Sequence, residues 1–149
     1  MKWGVPRAAM NLQTSTRFRR EPAAVPSARA FVDHVLRSAG VPPDVADTLV
    51  LAVAEACNNA ILHAAGDTFT VAVSVDESTC TLIVSDLGSG FRPPRHAYMP
   101  APEAVGQRGL ALMEALVDRV KVSSSPAGTT VILVHDIAAP AAAPLVVEL

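Results

Sequence analysis

Hydrophobic positions along this 149-residue chain change period several times, and each change marks an element. Thr14 to Arg20 reads as a first strand, with Phe18 set inward among arginines. Pro22 breaks it, and Pro26 suits the first turn of a helix. Ala28, Phe31, Val32, Val35, Leu36 and Ala39 then recur at the spacing of one helix face, and Gly40 supplies a C-terminal cap. Pro42-Pro43-Asp44 opens a second helix that runs to about Ala64 and stops at Gly66. From Asp67 to Asp76 the chain alternates. Phe69, Val71, Val73 and Val75 face one way, and Thr68, Thr70, Ala72 and Ser74 the other, which predicts a strand with one buried face. A short turn at Glu77-Ser78 leads into a partner strand, Thr79 to Asp86, whose inward set is Cys80, Leu82 and Val84; the two form an antiparallel hairpin.

Residues 91–105 contain four prolines, which exclude a regular element. A long loop between two glycine motifs is read as a working lid. Gly109 to Asp118 forms a third helix with Leu110, Met113 and Leu116 or Val117 inward. Val120 to Ser124 and Thr129 to Ile137 are strands joined by the turn Ser125-Pro-Ala-Gly128. The element order predicts an α/β (α+β) two-layer sandwich, with helices on one face of a mixed, mainly antiparallel sheet. Residues 1–13 are expected to be a loose arm, 14–137 the domain and 138–149 a low-complexity tail rich in Ala and Pro.

Composition narrows this reading. Half of the residues are hydrophobic and 17% are charged, which fits one domain with a single core. The net charge of −2 conceals an asymmetry. Residues 1–40 hold seven basic groups (Lys2, Arg7, Arg17, Arg19, Arg20, Arg29, Arg37) against Glu21 and Asp33. That split is either a basic face for an acidic partner or a solvated basic surface. Aromatic residues, at 4%, are too few for a base-stacking platform, so direct nucleic-acid binding is not expected. Cys57 and Cys80 sit among apolar neighbours and form no Cys-x-x-Cys pair; they are expected to be buried free thiols in a reducing compartment. The N-terminal residues lack the continuous apolar core of a secretory signal, and no apolar run approaches the roughly 20 residues of a membrane span. A soluble cytoplasmic protein is expected, with no membrane partner.

The candidate chemistry begins on the second helix. Glu55, Asn59 and His63 are spaced four apart within a run of Ala, Val, Leu and Ile, so they stack in one polar stripe. A carboxylate and an amide on a mostly buried helix are costly unless paired. Either they bond structurally to the protein, or they meet a hydrated metal ion carried by a nucleotide. Further along stand Asp86-Leu-Gly88-Ser-Gly90 after a strand, Gly106-Gln-Arg108-Gly109-Leu110 opening a helix, and Gly128-Thr129 entering a strand.

Glu55-x-x-x-Asn59, Asp86-x-Gly88-x-Gly90, Gly106-x-x-Gly109-Leu110 and Gly128-Thr129 stand in the order and rough spacing of the GHKL nucleotide-binding superfamily, which the chain resembles over about residues 14–137. The wording of residues 54–63 and of Arg108-Gly-Leu-Ala-Leu-Met113 is most similar to its anti-sigma factor, serine protein kinase branch. The resemblance implies a Bergerat-type ATP-binding fold, with Asn59 as a Mg²⁺ ligand and Glu55 as the general base. It implies that Asp86 accepts from the adenine amine, with Thr129 assisting through its hydroxyl or a water. Gly88 and Gly90 let the backbone approach the base, and Gly106, Gly109, Leu110 and Arg108 form a phosphate-facing helix start. Arg29, on the first helix, is placed at the partner surface. His63 is read as a packing or supporting residue and Asn58 as facing solvent. The implied function is an ATP-binding anti-sigma factor that phosphorylates a serine on an anti-anti-sigma (STAS) protein, holds a sigma factor inactive and forms a homodimer. The alternative is a nucleotide-sensing module that sequesters a partner without phosphorylating it. Two departures bear on activity: the second glycine box has fewer glycines than is common in the superfamily, and the lid is short and rich in proline.

Overall fold

A computed structural model describes residues 11–63, 66–86 and 107–137. Five strands form one sheet: β1 (Leu12–Arg19), β2 (Thr68–Val75), β3 (Thr79–Ser85), β4 (Arg119–Ser125) and β5 (Gly128–Asp136), in the spatial order β1-β2-β3-β5-β4. Three helices, α1 (Ala24–Ser38), α2 (Pro43–His63) and α3 (Gln107–Leu116), complete the described elements. α1 packs on β1 and β2, α2 on β3 and β5, and α3 on β4, so all three cover the same face.

The sheet is antiparallel at every pairing, not mixed. α3 carries the chain from β3 to β4, and these two strands do run in the same direction. They never become neighbours, because β5 turns back from β4 and inserts between them. The first strand also begins two residues earlier than the pattern indicated and takes in Leu12 and Gln13 from the expected arm.

Alternation decides which side of the sheet holds the core. Phe69, Val71, Val73 and Val75 of β2, Cys80, Leu82 and Val84 of β3, and Val131 and Leu133 of β5 point at the helices and are buried. Phe18 anchors β1 to both layers, stacking on Phe69 at 5.8 Å and meeting Phe31 of α1 edge-on at 6.2 Å. Leu36, Leu49, Val53 and Met113 close the core from the helix side. Cys57 and Cys80 are free and buried within it; desolvation pushes both thiols up to about 12, which keeps them protonated and unreactive.

The opposite face of β2 departs from expectation. Thr70 and Ala72 are buried, not solvent-facing. In register with Thr70 run Ser85, Thr130 and Ser123, all buried, and the Ser85 and Thr130 hydroxyls lie 3.1 Å apart. Periodicity reports polarity and not depth. A hydroxyl bonded to a cross-strand hydroxyl can be buried at little cost.

Helix ends follow local chemistry. The Gly40 amide donates to the Arg37 carbonyl and the Val41 amide to the Leu36 carbonyl, at 3.1 and 3.0 Å. The Val41 bond requires the left-handed backbone of Gly40, whose φ is +86°. Val41 and Leu36, both buried, supply the apolar contact that goes with this cap. A Cβ at Gly40 would meet nothing within 4 Å, so only backbone conformation opposes it. Gly40→Ala is therefore expected to cost about 1–2 kcal/mol in chemical denaturation, with nucleotide binding unchanged.

α2 is 21 residues long with a mean hydropathy of 1.4 in its most apolar window, and so passes a length-and-composition test for crossing a membrane. This corrects the expectation that no run approached that length. The helix nevertheless packs its apolar side on α1, α3 and the sheet, and it carries Asp44, Asp47, Glu55, Asn58 and Asn59. These are the properties of a core helix in a folded domain.

The basic groups of residues 1–40 do not share one face. Arg17 and Arg19 project from the outer side of β1, whereas Arg29 is exposed on α1 in the other layer. Arg37 is held by Asp33 and Asp47 at 2.8 and 2.6 Å. Lys2 and Arg7 lie outside the described residues.

Candidate nucleotide site

The last two turns of α2 and the adjoining ends of β3 and β5 border a narrow, open cleft with a volume of only about 10 Å³, room for about one water. Ala56, Asn59, Ala60 and His63 line it from the helix; Val84, Asp86, Thr129 and Val131 line it from the sheet. Period two explains the sheet side. Val84 and Asp86 lie on the same face two residues apart, and so do Thr129 and Val131, so each strand offers one apolar and one polar group. The helix side follows from α2's composition. Ala56 and Ala60, one turn apart, keep the wall low next to Asn59. The lining joins apolar walls to a few polar groups, as in small-molecule sites, and a purine base would enter it only by widening it.

Asp86 is held firmly. Its Oδ1 accepts from the Thr129 backbone amide at 2.6 Å, and its own amide donates to the Thr129 carbonyl at 3.2 Å. The expected donor for this carboxylate is thus partly supplied by the protein, through Thr129's backbone. The Thr129 hydroxyl instead lies 3.4 Å from that of Ser124. Among the described residues no second side-chain or backbone donor to the Asp86 carboxylate is found.

Asn59 is 7% exposed and its Oδ1 has no hydrogen-bond partner. An orphaned amide oxygen at that depth is uncommon, and it fits a group that coordinates a hard cation. Among the described residues no cluster of three or more His, Cys, Asp or Glu could hold a metal ion.

Glu55, one turn before Asn59, is half-buried. It faces α3: a Cβ built on Gly109 would lie 3.7 Å from Glu55 Oε1, an ordinary van der Waals contact. Gly109 lies in the first turn of α3, where backbone amides lack intrahelical acceptors and attract anions. The structure thus brings Glu55 and Asn59 of the first motif to Asp86 and Thr129 on one side and Gly109 on the other. Leu110 is half-buried and packs against the core, so its side chain braces α3.

Not every expected residue belongs to this cluster. His63 is exposed at the rim of the cleft and is not a packing residue. Asn58 faces solvent, as its helical angle indicated. Gly88, Gly90, Gly106 and the 91–105 loop lie outside the described residues, as does the side chain of Arg108. The motif reading missed the walls Ala56, Ala60, Val84 and Val131. Their signal was the alternation itself, since they share a face with residues already singled out.

Residues 18–135 match the family model described as the histidine kinase-like ATPase domain, and the chain belongs to that family. Among curated relatives, the serine-protein kinase RsbW of Bacillus velezensis is 35% identical over 126 residues, 74% of this chain and 77% of that one. The anti-sigma F factor of Pasteuria penetrans is 32% identical over 91 residues, 54% of this chain and 60% of that one. The crystal structure of the RsbU and RsbW domains of a Mycobacterium tuberculosis protein superposes with a TM-score of 0.64 at 22% identity. It covers 83% of this chain and 32% of that longer one, and supports the fold.

Proposed function

We propose that the protein is an ATP-binding anti-sigma factor that phosphorylates a serine on an anti-anti-sigma (STAS) protein and sequesters a sigma factor. One observation carries the reading: Asn59, Asp86 and Thr129, scattered in sequence, line one cleft, and Glu55, one turn from Asn59 on α2, lies against Gly109, in a chain 35% identical to a named serine-protein kinase.

In this reading adenine enters the slot between α2 and the β3 and β5 ends, and its amine donates to Asp86. The first-turn amides of α3, with Gly109, Gly106 and Arg108, face the phosphates. Gly88 and Gly90 give the base room. Asn59 would hold Mg²⁺, whose chemistry is charge neutralisation at the phosphates. The acceptor serine's oxygen bonds to the γ-phosphorus, the bond to the ADP oxygen breaks, and Glu55 takes the hydroxyl proton. Positioning and electrostatics supply most of the rate in such transfers. Arg29 lies on a partner-facing surface of α1. A cytoplasmic location and a homodimer complete the reading, both on the strength of the resemblance.

The deciding experiment mixes the purified protein with Mg²⁺ and ATP labelled at the γ-phosphate, together with STAS proteins of the same organism. Label on a partner serine is the expected result. Tight ATP binding with no label on any partner would instead identify a nucleotide-gated sequestering module.

A further inference from the structure

Three large apolar side chains stand out to solvent among the described residues: Leu51, Leu62 and Leu112, with 54%, 73% and 42% of their surfaces exposed. Scattered exposed leucines need no explanation. These are not scattered. All three lie on α2 and α3, the helices that carry Glu55 and Gly109; none is on α1 or the sheet.

Their phase on α2 is informative. At about 100° per residue, Leu51, Glu55, Asn58 and Leu62 fall within roughly 60° of arc. Leu51 lies about 6 Å before Glu55 along the axis and Leu62 about 10 Å beyond it. Leu51, Asn58 and Leu62 are exposed, whereas Glu55 sits at the boundary between this stripe and the nucleotide cleft. The stripe carries no charge from Leu51 to Leu62 apart from Glu55 itself. Good helix propensity explains a leucine at such a site no better than alanine or lysine would.

We infer that this stripe is the seat of the protein that presents the acceptor serine, and that Leu51 and Leu62 determine its affinity by contacting apolar side chains on either side of that serine. The inference rests on the kinase reading. A serine that hands its proton to Glu55 must lie on this part of α2, so the flanking leucines are continuous with an interface the reaction itself requires. A few well-packed, desolvated contacts near the centre of an interface carry most of its binding energy, and side chains flanking the acceptor serine would lie there.

The test uses the full chain and the STAS protein that accepts label in the assay above. A Leu51→Ser/Leu62→Ser double variant is expected to raise KM for that protein at least ten-fold. Its kcat at saturating acceptor, ATP affinity and thermal midpoint should match wild type, because both side chains lie outside the core. Leu51→Met/Leu62→Met should restore KM to within about three-fold. An unchanged acceptor KM overturns the inference, as does a loss confined to kcat or to ATP affinity. A change in oligomeric mass by light scattering that accounts for the KM effect also overturns it, since the leucines would then be covering a second copy of the chain. If wild type labels no STAS protein, the kinase reading has failed and takes this inference with it. Normal transfer by wild type with an unaffected double variant rejects the inference alone.

Discussion

Glu55→Gln is expected to reduce phosphoryl transfer to a partner serine by about 10²–10⁴-fold while changing ATP affinity by no more than about three-fold. Glutamine keeps the length and shape of the side chain and removes only its capacity to accept a proton at neutral pH. The nearest probe of the space around it, a Cβ built at Gly109, stays 3.7 Å from Oε1, so the slightly larger amide group fits without moving α3. Single-turnover transfer from γ-labelled ATP separates this outcome from others. A slow transfer step with a normal nucleotide Kd assigns Glu55 to proton removal. Retained transfer within a few-fold would leave it a structural carboxylate beside the glycine turn. Weakened nucleotide binding with normal transfer at saturation would make it an indirect metal contact through water.

Much of this arrangement was legible before any coordinates, for reasons that differ by element. β2 and β3 were readable because Phe69, Val71, Val73, Cys80, Leu82 and Val84 recur at period two on a sheet with helices on one face only. The end of α1 was readable because a left-handed residue is needed where Gly40 stands. Sheet order was not, since β5's insertion between β3 and β4 is decided by long-range packing. The buried hydroxyl row from Thr70 to Ser123 was missed because its members look like surface residues and pair only across strands. For the site, Glu55, Asn59, Asp86 and Gly109 were found through their spacing. The bond from the Thr129 amide to Asp86, separate from the hydroxyl or water contact expected of Thr129, was not anticipated. A backbone donor is invisible to any reading of side-chain types.

That backbone bond shapes the second large effect. Asp86→Asn is expected to weaken ATP binding about 100-fold or more with little loss of stability. The asparagine carbonyl can replace Oδ1 as acceptor for the Thr129 amide, now bonded at 2.6 Å, so the β3 and β5 ends stay joined. Its NH₂ group must then point into the slot, donor against donor with the adenine amine. Charged hydrogen bonds contribute about 1.5–3 kcal/mol, and leaving buried donors unpaired costs about 1–3 kcal/mol more, which together set the magnitude. The same reversal favours a base with a carbonyl at that position, so the variant should lose its preference for ATP over GTP or ITP in calorimetric titration. Asp86→Ala is the control: it gives up both the adenine contact and the Thr129 tie, and it should lower the thermal midpoint where Asp86→Asn does not. If Asp86→Asn binds ATP as wild type does and still rejects GTP, the base lies elsewhere, and the small slot between Asn59 and Thr129 is not the adenine pocket.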